Sequence, residues 1–168
     1  GSVILGASET AGRFFADVAA RVDGGVALDD AAAAAIGELK AARRSIPGYG
    51  HPLHKTRDPR VDRLIEVATQ AGADLRYVHI AQALERAIPG IVGKDLRMNV
   101  SAAIPAVLMG VGFPVSSLRG VPILARTAGL IAHLAEEAEQ PSGFALSYQA
   151  TRELQYEGVL PDGFGSER

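Results

Sequence analysis

The sequence has no cysteine among its 168 residues. This absence excludes disulfide frameworks, thiolate nucleophiles and thiol-rich zinc sites, and it favours a cytoplasmic location. An excess of one charge is also lacking, because 17 basic and 19 acidic side chains leave a formal net charge of −2. We therefore expect no overall attraction to nucleic acid, and any site for an anion has to be local.

Long hydrophobic runs are missing as well. The longest apolar stretch, residues 102–115, is shorter than the ~20 residues that a membrane-spanning helix needs. It also contains Pro105 and Pro114, so we expect neither a membrane span nor a membrane partner. The sequence opens Gly1-Ser2-Val3, without a methionine or the basic region of a signal peptide. We interpret this opening as a processed, trimmed or recombinant start.

Hydrophobic residues make up 48% of the chain and charged residues 21%, which excludes disorder and indicates one compact domain or one fragment of a larger fold. Apolar residues recur three or four positions apart through most segments, so the predicted fold class is all-α. Ser8 is predicted to cap the first helix, Asp58 and Pro59 to begin the third, and Pro89 to end the fourth. Helices are predicted over about 8–22, 29–44, 59–71, 74–88, 102–112, 123–134 and 147–157, and those over 102–112 and 123–134 are predicted to be buried.

The segment from Ser45 to Arg60 breaks this pattern and is predicted to be a loop. It contains two glycines, three prolines and a concentration of histidine, lysine and arginine. Glycines let a backbone approach a ligand closely, and imidazoles and cations offer hydrogen bonds to a carboxylate or phosphate. The segment therefore indicates an anion site. The structural alternative is an exposed basic loop whose glycines serve only turn geometry.

Arg126 lies within an apolar helical stripe, where a guanidinium has to meet an anionic ligand or, as the structural alternative, an internal salt bridge. From the residues alone, Ser101 is interpreted as a helix N-cap before an alanine-rich run, and His79 and His133 as core histidines. No metal site is predicted, because no histidine pair has a familiar zinc spacing. A phosphate-binding P-loop, a dinucleotide fingerprint and a nucleophile elbow are absent.

Several spaced motifs resemble, in the same order, those of citrate synthases and of the related citryl-CoA lyase modules. Pro47-Gly48-Tyr49-Gly50-His51, followed by Lys55 and by Arg57-Asp58-Pro59-Arg60, resembles the family's Pro-Gly-Phe/Tyr-Gly-His and Lys-x-Arg-Asp-Pro-Arg segment. Three further segments are similar to the family's Lys…Asn-Val-Asp stretch, its Gly-Ile-Pro and its Ala-Arg-Thr-Val-Gly-Trp-Ile-Ala-His helix: Lys94 to Ser101, Gly112-Phe113-Pro114 and Leu124 to His133. The likeness covers nearly the whole chain but only the C-terminal half of a full-size citrate synthase. It implies a small lobe over about 7–96 and large-lobe helices over about 97–168.

The resemblance implies an enzyme that builds a citrate-like intermediate from oxaloacetate and acetyl-CoA, or cleaves citryl-CoA into them, through a thioester enolate. It implies that His51 hydrogen-bonds the keto oxygen of a dicarboxylate such as oxaloacetate, and that Arg60 and Arg126 bind its carboxylates. Positive charge that meets CoA phosphates is implied at Lys55, Arg57 and Lys94. The resemblance also implies a CoA thioester as substrate, no permanently bound cofactor, and a homodimer.

Two positions depart from the family's pattern. Ile4 lies where the family has its enolising histidine, and Ser101 lies where it has the aspartate that takes the α-proton of acetyl-CoA. Losing both groups removes acid–base steps that are typically worth ~10²–10⁴-fold each. Three alternatives follow: an enzyme with rerouted proton transfer, in which Ser101 is a second catalytic residue beside His51; a catalytically degenerate binding or regulatory subunit that keeps the dicarboxylate site; or a fragment of a longer enzyme.

Overall fold

The computed structural model of the chain describes residues 5–51, 56–155, 157–159 and 161–163. Within these ranges there is no strand, and one isolated antiparallel bridge joins Tyr49 to Met98. The prediction of an all-α fold is confirmed. The helices are α1 (Ala7–Asp23), α2 (Leu28–Ala41), α3 (Pro59–Gln70), α4 (Arg76–Val92), α5 (Val100–Leu108), α6 (Gly120–Glu139) and α7 (Gly143–Thr151), with short 3₁₀ turns at Met109–Val111 and Val115–Ser117.

The helix ends test the predictions from local sequence. Asp58 caps α3 as predicted, since its carboxylate accepts a hydrogen bond from the Arg60 backbone N–H at 3.1 Å and Pro59 is the first helical residue. The prediction that Ser8 caps α1 is wrong, because α1 begins at Ala7 and Ser8 is buried in its first turn. The prediction that Pro89 ends α4 is also wrong. A proline removes only one intrahelical hydrogen bond, and α4 continues to a left-handed glycine that follows Val92.

The first compact unit comprises residues Gly1–Arg126. Within it α2 packs mainly against α4, and α5 packs against α1, α3 and α4. The largest buried apolar side chains include Phe15, Ile36, Leu84 and Ile88, each 0% exposed. Much of the remaining core is alanine, which lets the helices approach closely. The core therefore gives α5 a fixed position from which its N-terminus reaches the loop that precedes α3.

The second compact unit, Thr127–Arg168, contains most of α6 together with α7. α6 has no buried residue, and Leu124 and Ile131 are 72% and 66% exposed. The prediction of a helix over 123–134 is confirmed, but its predicted burial is wrong, because its apolar residues face more than one direction and the described chain does not cover them. His133 is also exposed rather than in a core, with Nδ1 2.9 Å from an oxygen of Glu136. None of the described helices combines the length and hydropathy needed to cross a membrane.

The last helix starts earlier in the chain than its periodicity predicted. The Glu137 carboxylate accepts hydrogen bonds from the backbone N–H groups of Ser142 and Gly143, at 2.9 and 2.8 Å. These bonds satisfy the first donors of α7 from the side chain of the preceding helix. α7 therefore occupies Gly143–Thr151 rather than 147–157.

Candidate functional site

The loop before His51 is joined to the segment before α5 by three hydrogen bonds. The Gly50 N–H donates to the Arg97 carbonyl at 2.8 Å, and the Asn99 N–H donates to the Gly48 carbonyl at 2.9 Å. The Asn99 side-chain amide donates to the Gly50 carbonyl at 2.7 Å. Since Gly50 and His51 are consecutive, these bonds hold the half-buried His51 close to the first turn of α5.

Glycine and tyrosine each have a defined part in this loop. Gly48 has a φ of +87°, and a Cβ there would lie 2.5 Å from the Cβ of Ala102. Only a residue without a side chain therefore lets the loop lie this close to α5. Tyr49 is buried and its hydroxyl donates to the Ala81 carbonyl of α4 at 2.7 Å, while burial raises the pKa of its phenol well above the usual value. The loop is thus fixed on α4 as well as on α5.

Asp58 connects α3, α5 and Arg60. Its Oδ1 accepts from the backbone N–H and the Nε of Arg60, and its Oδ2 accepts from Arg60 Nη2 at 2.8 Å and from the Val100 N–H at 3.0 Å. The Asp58 side chain is 1% exposed, whereas that of Arg60 is 50% exposed. The Arg60 side chain, followed by backbone donors, lowers the pKa of Asp58 to about 2, so the carboxylate is ionised at neutral pH.

These contacts bring the segments of three predicted site residues close together, namely His51, Arg60 and Ser101. Asn99 touches the residue before His51, and Val100 shares the Asp58 carboxylate with Arg60. Ser101 follows directly and is half-buried on the first turn of α5. Its N–H donates to the Asn99 side chain at 2.8 Å, so Asn99 is the N-cap of α5 and the interpretation of Ser101 as that cap is wrong.

Arg126 is not joined to this neighbourhood by a described contact. It lies exposed on α6, and within the described part of the chain no ion pair holds its guanidinium. The alternative of an internal salt bridge is therefore not observed there. Its place in a dicarboxylate site stays a prediction from the resemblance.

A basic pocket lies at the other end of the same loop. It has a volume of about 310 Å³ and combines apolar residues of the loop and of α4 with four cationic side chains. The cations are Lys40, Arg43, Arg44 and Lys94. Lys94 was singled out by the resemblance, and the other three were missed, although the Arg43-Arg44 pair directly before the loop is a visible signal in the sequence.

Arg57, which was also predicted to meet CoA phosphates, lies outside this pocket. Arg57 forms an ion pair with Asp62 on the first turn of α3 and lines a separate cavity of about 100 Å³. Lys55 lies outside the described residues, as does Ile4. Lys94 lines the basic pocket, and Arg57 does not.

Arg43 has an unusual backbone conformation at the edge of this pocket. It has a φ of +52°, the one left-handed value among the described residues other than glycine. The Arg43 and Arg44 N–H groups donate to the carbonyls of Lys40 and Leu39, which closes α2 in the geometry where glycine is the usual residue. Arginine in this position carries a conformational cost of roughly 1–2 kcal/mol, and such costs concentrate at functional sites.

Metal ligation has no support in the described ranges, where histidine, aspartate and glutamate form no group that could hold an ion. The loop thus carries chemical groups at two places. The imidazole of His51 and the partly exposed guanidinium of Arg60 lie toward its downstream end, and the basic pocket lies at its upstream end. This arrangement is suited to a ligand with negative groups at separate points.

A family model described as "Citrate synthase, C-terminal domain" matches residues 1–144. The chain belongs to the citrate synthase family. Among curated relatives, the citrate synthase of Saccharolobus solfataricus is 33% identical over 103 residues, which cover 58% of this chain and 27% of that protein.

Two solved structures extend this family comparison to the fold. The citryl-CoA lyase from Hydrogenobacter thermophilus is 31% identical with a TM-score of 0.75, and the match covers 96% of this chain and 60% of that one. The citrate synthase from Thermotoga maritima is 23% identical with a TM-score of 0.69, and the match covers 96% of this chain and 41% of that one. At that identity the second likeness shows the fold alone. This chain spans less than two thirds of each of these proteins.

Proposed function

We propose that this chain acts in a citrate synthase-family enzyme on a CoA thioester and a dicarboxylate such as oxaloacetate, by citryl-CoA cleavage or the reverse condensation. The observation that carries the proposal is the Arg60 guanidinium, held half-exposed by the buried Asp58 beside the loop that bears His51. A guanidinium presented in this way suits a carboxylate, and a nearby imidazole suits the carbonyl or hydroxyl oxygen next to it.

In the cleavage direction, the carbon–carbon bond between the hydroxyl-bearing carbon of citryl-CoA and the thioester methylene breaks. The hydroxyl loses its proton and becomes the keto oxygen of oxaloacetate, while the thioester fragment leaves as an enolate and takes up a proton. His51 is assigned the hydrogen bond to that oxygen, and Arg60 and Arg126 are assigned the carboxylates. Condensation is the same set of steps in reverse.

Ser101 is assigned a supporting role in place of a proton-taking carboxylate. It occupies the first turn of α5, where the backbone N–H groups and the helix dipole favour negative charge. A hydroxyl there can donate to the thioester oxygen as enolate charge develops, or position a water that carries the proton. The resemblance supports this position, and the exchange of carboxylate for hydroxyl predicts a slow enzyme.

The basic pocket is assigned to the phosphate-bearing end of CoA. Its four cations and the apolar side chains of Ile46, Val92 and Leu96 suit a phosphorylated nucleotide. The pocket and His51 lie on one short loop, because Ser45 and Ile46 line the pocket. This assignment replaces Arg57, whose guanidinium is already paired with Asp62.

The test of the dicarboxylate assignment is titration calorimetry with oxaloacetate and citrate, combined with an assay of citryl-CoA cleavage. Arg60→Ala is expected to weaken dicarboxylate binding by about tenfold to a hundredfold, because a charge-assisted hydrogen bond is lost. The matched control is Arg86→Ala, which removes an exposed arginine paired with Asp29 and should leave binding unchanged. Binding without turnover would favour a degenerate binding subunit, and no binding would refute the proposal.

The test of the CoA assignment is Arg43→Gly. Glycine accepts the left-handed conformation, so the free energy of unfolding should stay constant or rise by up to about 1 kcal/mol. CoA affinity measured by calorimetry should nevertheless fall, by about fivefold to tenfold. Arg13→Ala removes an exposed cation from α1 and serves as the control. Unchanged CoA affinity in Arg43→Gly would remove the pocket from the proposal.

The assembly is proposed from the family, and the location and the class of ligand from the composition of the sequence. We propose a homodimer in the cytoplasm, with small molecules rather than nucleic acid or a membrane as ligands and with no permanently bound cofactor. Light scattering at micromolar concentration tests the dimer, and a monomeric mass would contradict it.

A further inference from the structure

We propose that Asp58 is a positioning residue, which orients the Arg60 guanidinium toward a substrate carboxylate and links it to the first turn of α5. The inference rests on the proposed function, because it concerns the carboxylate site of that activity. The Asp58 side chain is only 1% exposed, so it is not open to a ligand and acts through Arg60.

The geometry of the pair divides the guanidinium into two edges. Nε and Nη2 donate to the two oxygens of Asp58 at 2.9 and 2.8 Å. Nη1 is bonded to no acceptor within the described part of the chain, and the Arg60 side chain is 50% exposed. One edge is therefore fixed by protein, and the other is left for a ligand.

The same carboxylate also sets the position of α5 relative to Arg60. Asp58 Oδ2 accepts from both Arg60 Nη2 and the Val100 N–H, the latter at 3.0 Å. Ser101 is the next residue along that helix. A dicarboxylate held by Arg60 is thus placed at a fixed distance from the helix end that bears Ser101, because the single carboxylate of Asp58 contacts both Arg60 and α5.

Orientation of this kind matters for a long side chain. An unrestrained arginine samples many rotamers and loses that freedom when it binds, whereas Arg60 is already ordered by a two-point contact. An isosteric amide at 58 keeps one oxygen for the helix cap, but it loses the ionic contact to Arg60 and the second oxygen, which accepts from the Val100 N–H. We expect Asp58→Asn to weaken dicarboxylate binding without removing any group that touches the dicarboxylate.

The experiment is a double-mutant cycle with oxaloacetate and citrate, using Asp58→Asn, Arg60→Ala and the double variant. Asp58→Asn should raise the Kd about tenfold, and should add much less in the Arg60→Ala background, because its effect on the dicarboxylate passes mainly through Arg60. Asp29→Asn breaks another aspartate–arginine pair at a helix start and should leave the Kd unchanged. An unchanged Kd in Asp58→Asn, or an equal loss with and without Arg60, would overturn the inference.

Two additions keep the result decisive. If Asp58→Asn does not fold, Asp58→Ser retains a good helix cap but cannot reach the guanidinium, and it should give the same rise in Kd. The Arg60 Nε proton, followed by NMR without ligand, should exchange with solvent slowly in the wild-type chain and rapidly in Asp58→Asn or Asp58→Ser. Rapid exchange in the wild-type chain as well overturns the inference, whereas a slow Nε–H in a wild-type chain that binds no dicarboxylate refutes the proposed function instead.

Discussion

The two compact units of this chain both contain large apolar side chains, but they differ in how far these side chains are buried. In the first unit Phe15 and Leu84 are completely buried. In the second, Phe144 and Leu130 are 94% and 58% exposed. Helical periodicity is present in both, so the pattern of apolar residues specifies the helices equally well. Burial requires, in addition, a second surface of matching shape, and in the described chain only the first unit provides it.

The largest expected contrast concerns the two phenylalanines. Phe15→Ala should lower the free energy of unfolding by about 3–5 kcal/mol, because it leaves a cavity in a closed core. Phe144→Ala should change it by less than about 0.5 kcal/mol, as for most exposed positions. Denaturant unfolding followed by circular dichroism measures both. A cost at Phe144 that approaches the cost at Phe15 would show that α7 is covered in solution.

Two glycines extend the contrast to the backbone. Gly48→Ala should destabilise the chain by about 3 kcal/mol, since the residue has a positive φ and a new Cβ would overlap Ala102. Gly129 lies in the middle of α6, and among the described residues a Cβ there would meet nothing within 4 Å beyond its chain neighbours and its own helix backbone. Gly129→Ala should therefore stabilise by about 0.5–1 kcal/mol. Thermal melts of the two variants should therefore shift in opposite directions. A stabilising Gly48→Ala would contradict the close approach of the loop to α5.

The smallest contrast is electrostatic and depends on pH. The pKa of Asp58 falls from 3.8 to about 2 on folding, so its ionised form contributes about 2 kcal/mol to stability above pH 4. This contribution is lost as pH falls through about 2. The stability difference between wild type and Asp58→Asn should therefore shrink from pH 4 to pH 2. Glu136→Gln breaks an exposed pair with His133 and should cost less than about 0.5 kcal/mol at any pH.

The helices could be predicted from sequence to the extent that local interactions decide them. The start of α3 follows from Asp58 and Pro59 alone, because a cap and a first-turn proline act within one turn. The end of α4 does not follow from Pro89, since a glycine four residues later closes the helix instead. The start of α7 depends on Glu137, which reaches across a turn to cap it. A pattern of apolar residues contains no information on such contacts.

The site could be predicted only in part, for a similar reason. His51, Arg60 and Ser101 were singled out by resemblance, and the structure brings their segments together. The double role of Asp58 could not be predicted. The sequence shows that an aspartate before Pro59 can cap α3, but it does not show that the same carboxylate also accepts from the Val100 N–H of α5. Lys40 was missed in the basic pocket because it is far from Lys94 in the sequence, on α2 rather than in the segment before α5. Arg126 stays a prediction from family likeness.

The hydrogen bonds that join residues 50 and 58 to the N-terminal end of α5 also affect how the chain folds. The hydrogen bond from Asn99 to Gly50 joins residues 49 positions apart, and that from Val100 to Asp58 joins residues 42 apart. Closing such long loops costs entropy before any contact compensates for it, so non-local contacts form slowly. We expect α4 to be helical before these bonds exist. In pulse-labelled hydrogen exchange during refolding, the Gly50 and Val100 amides should become protected after those of α4, so that the proposed site is the last part of the first unit to form.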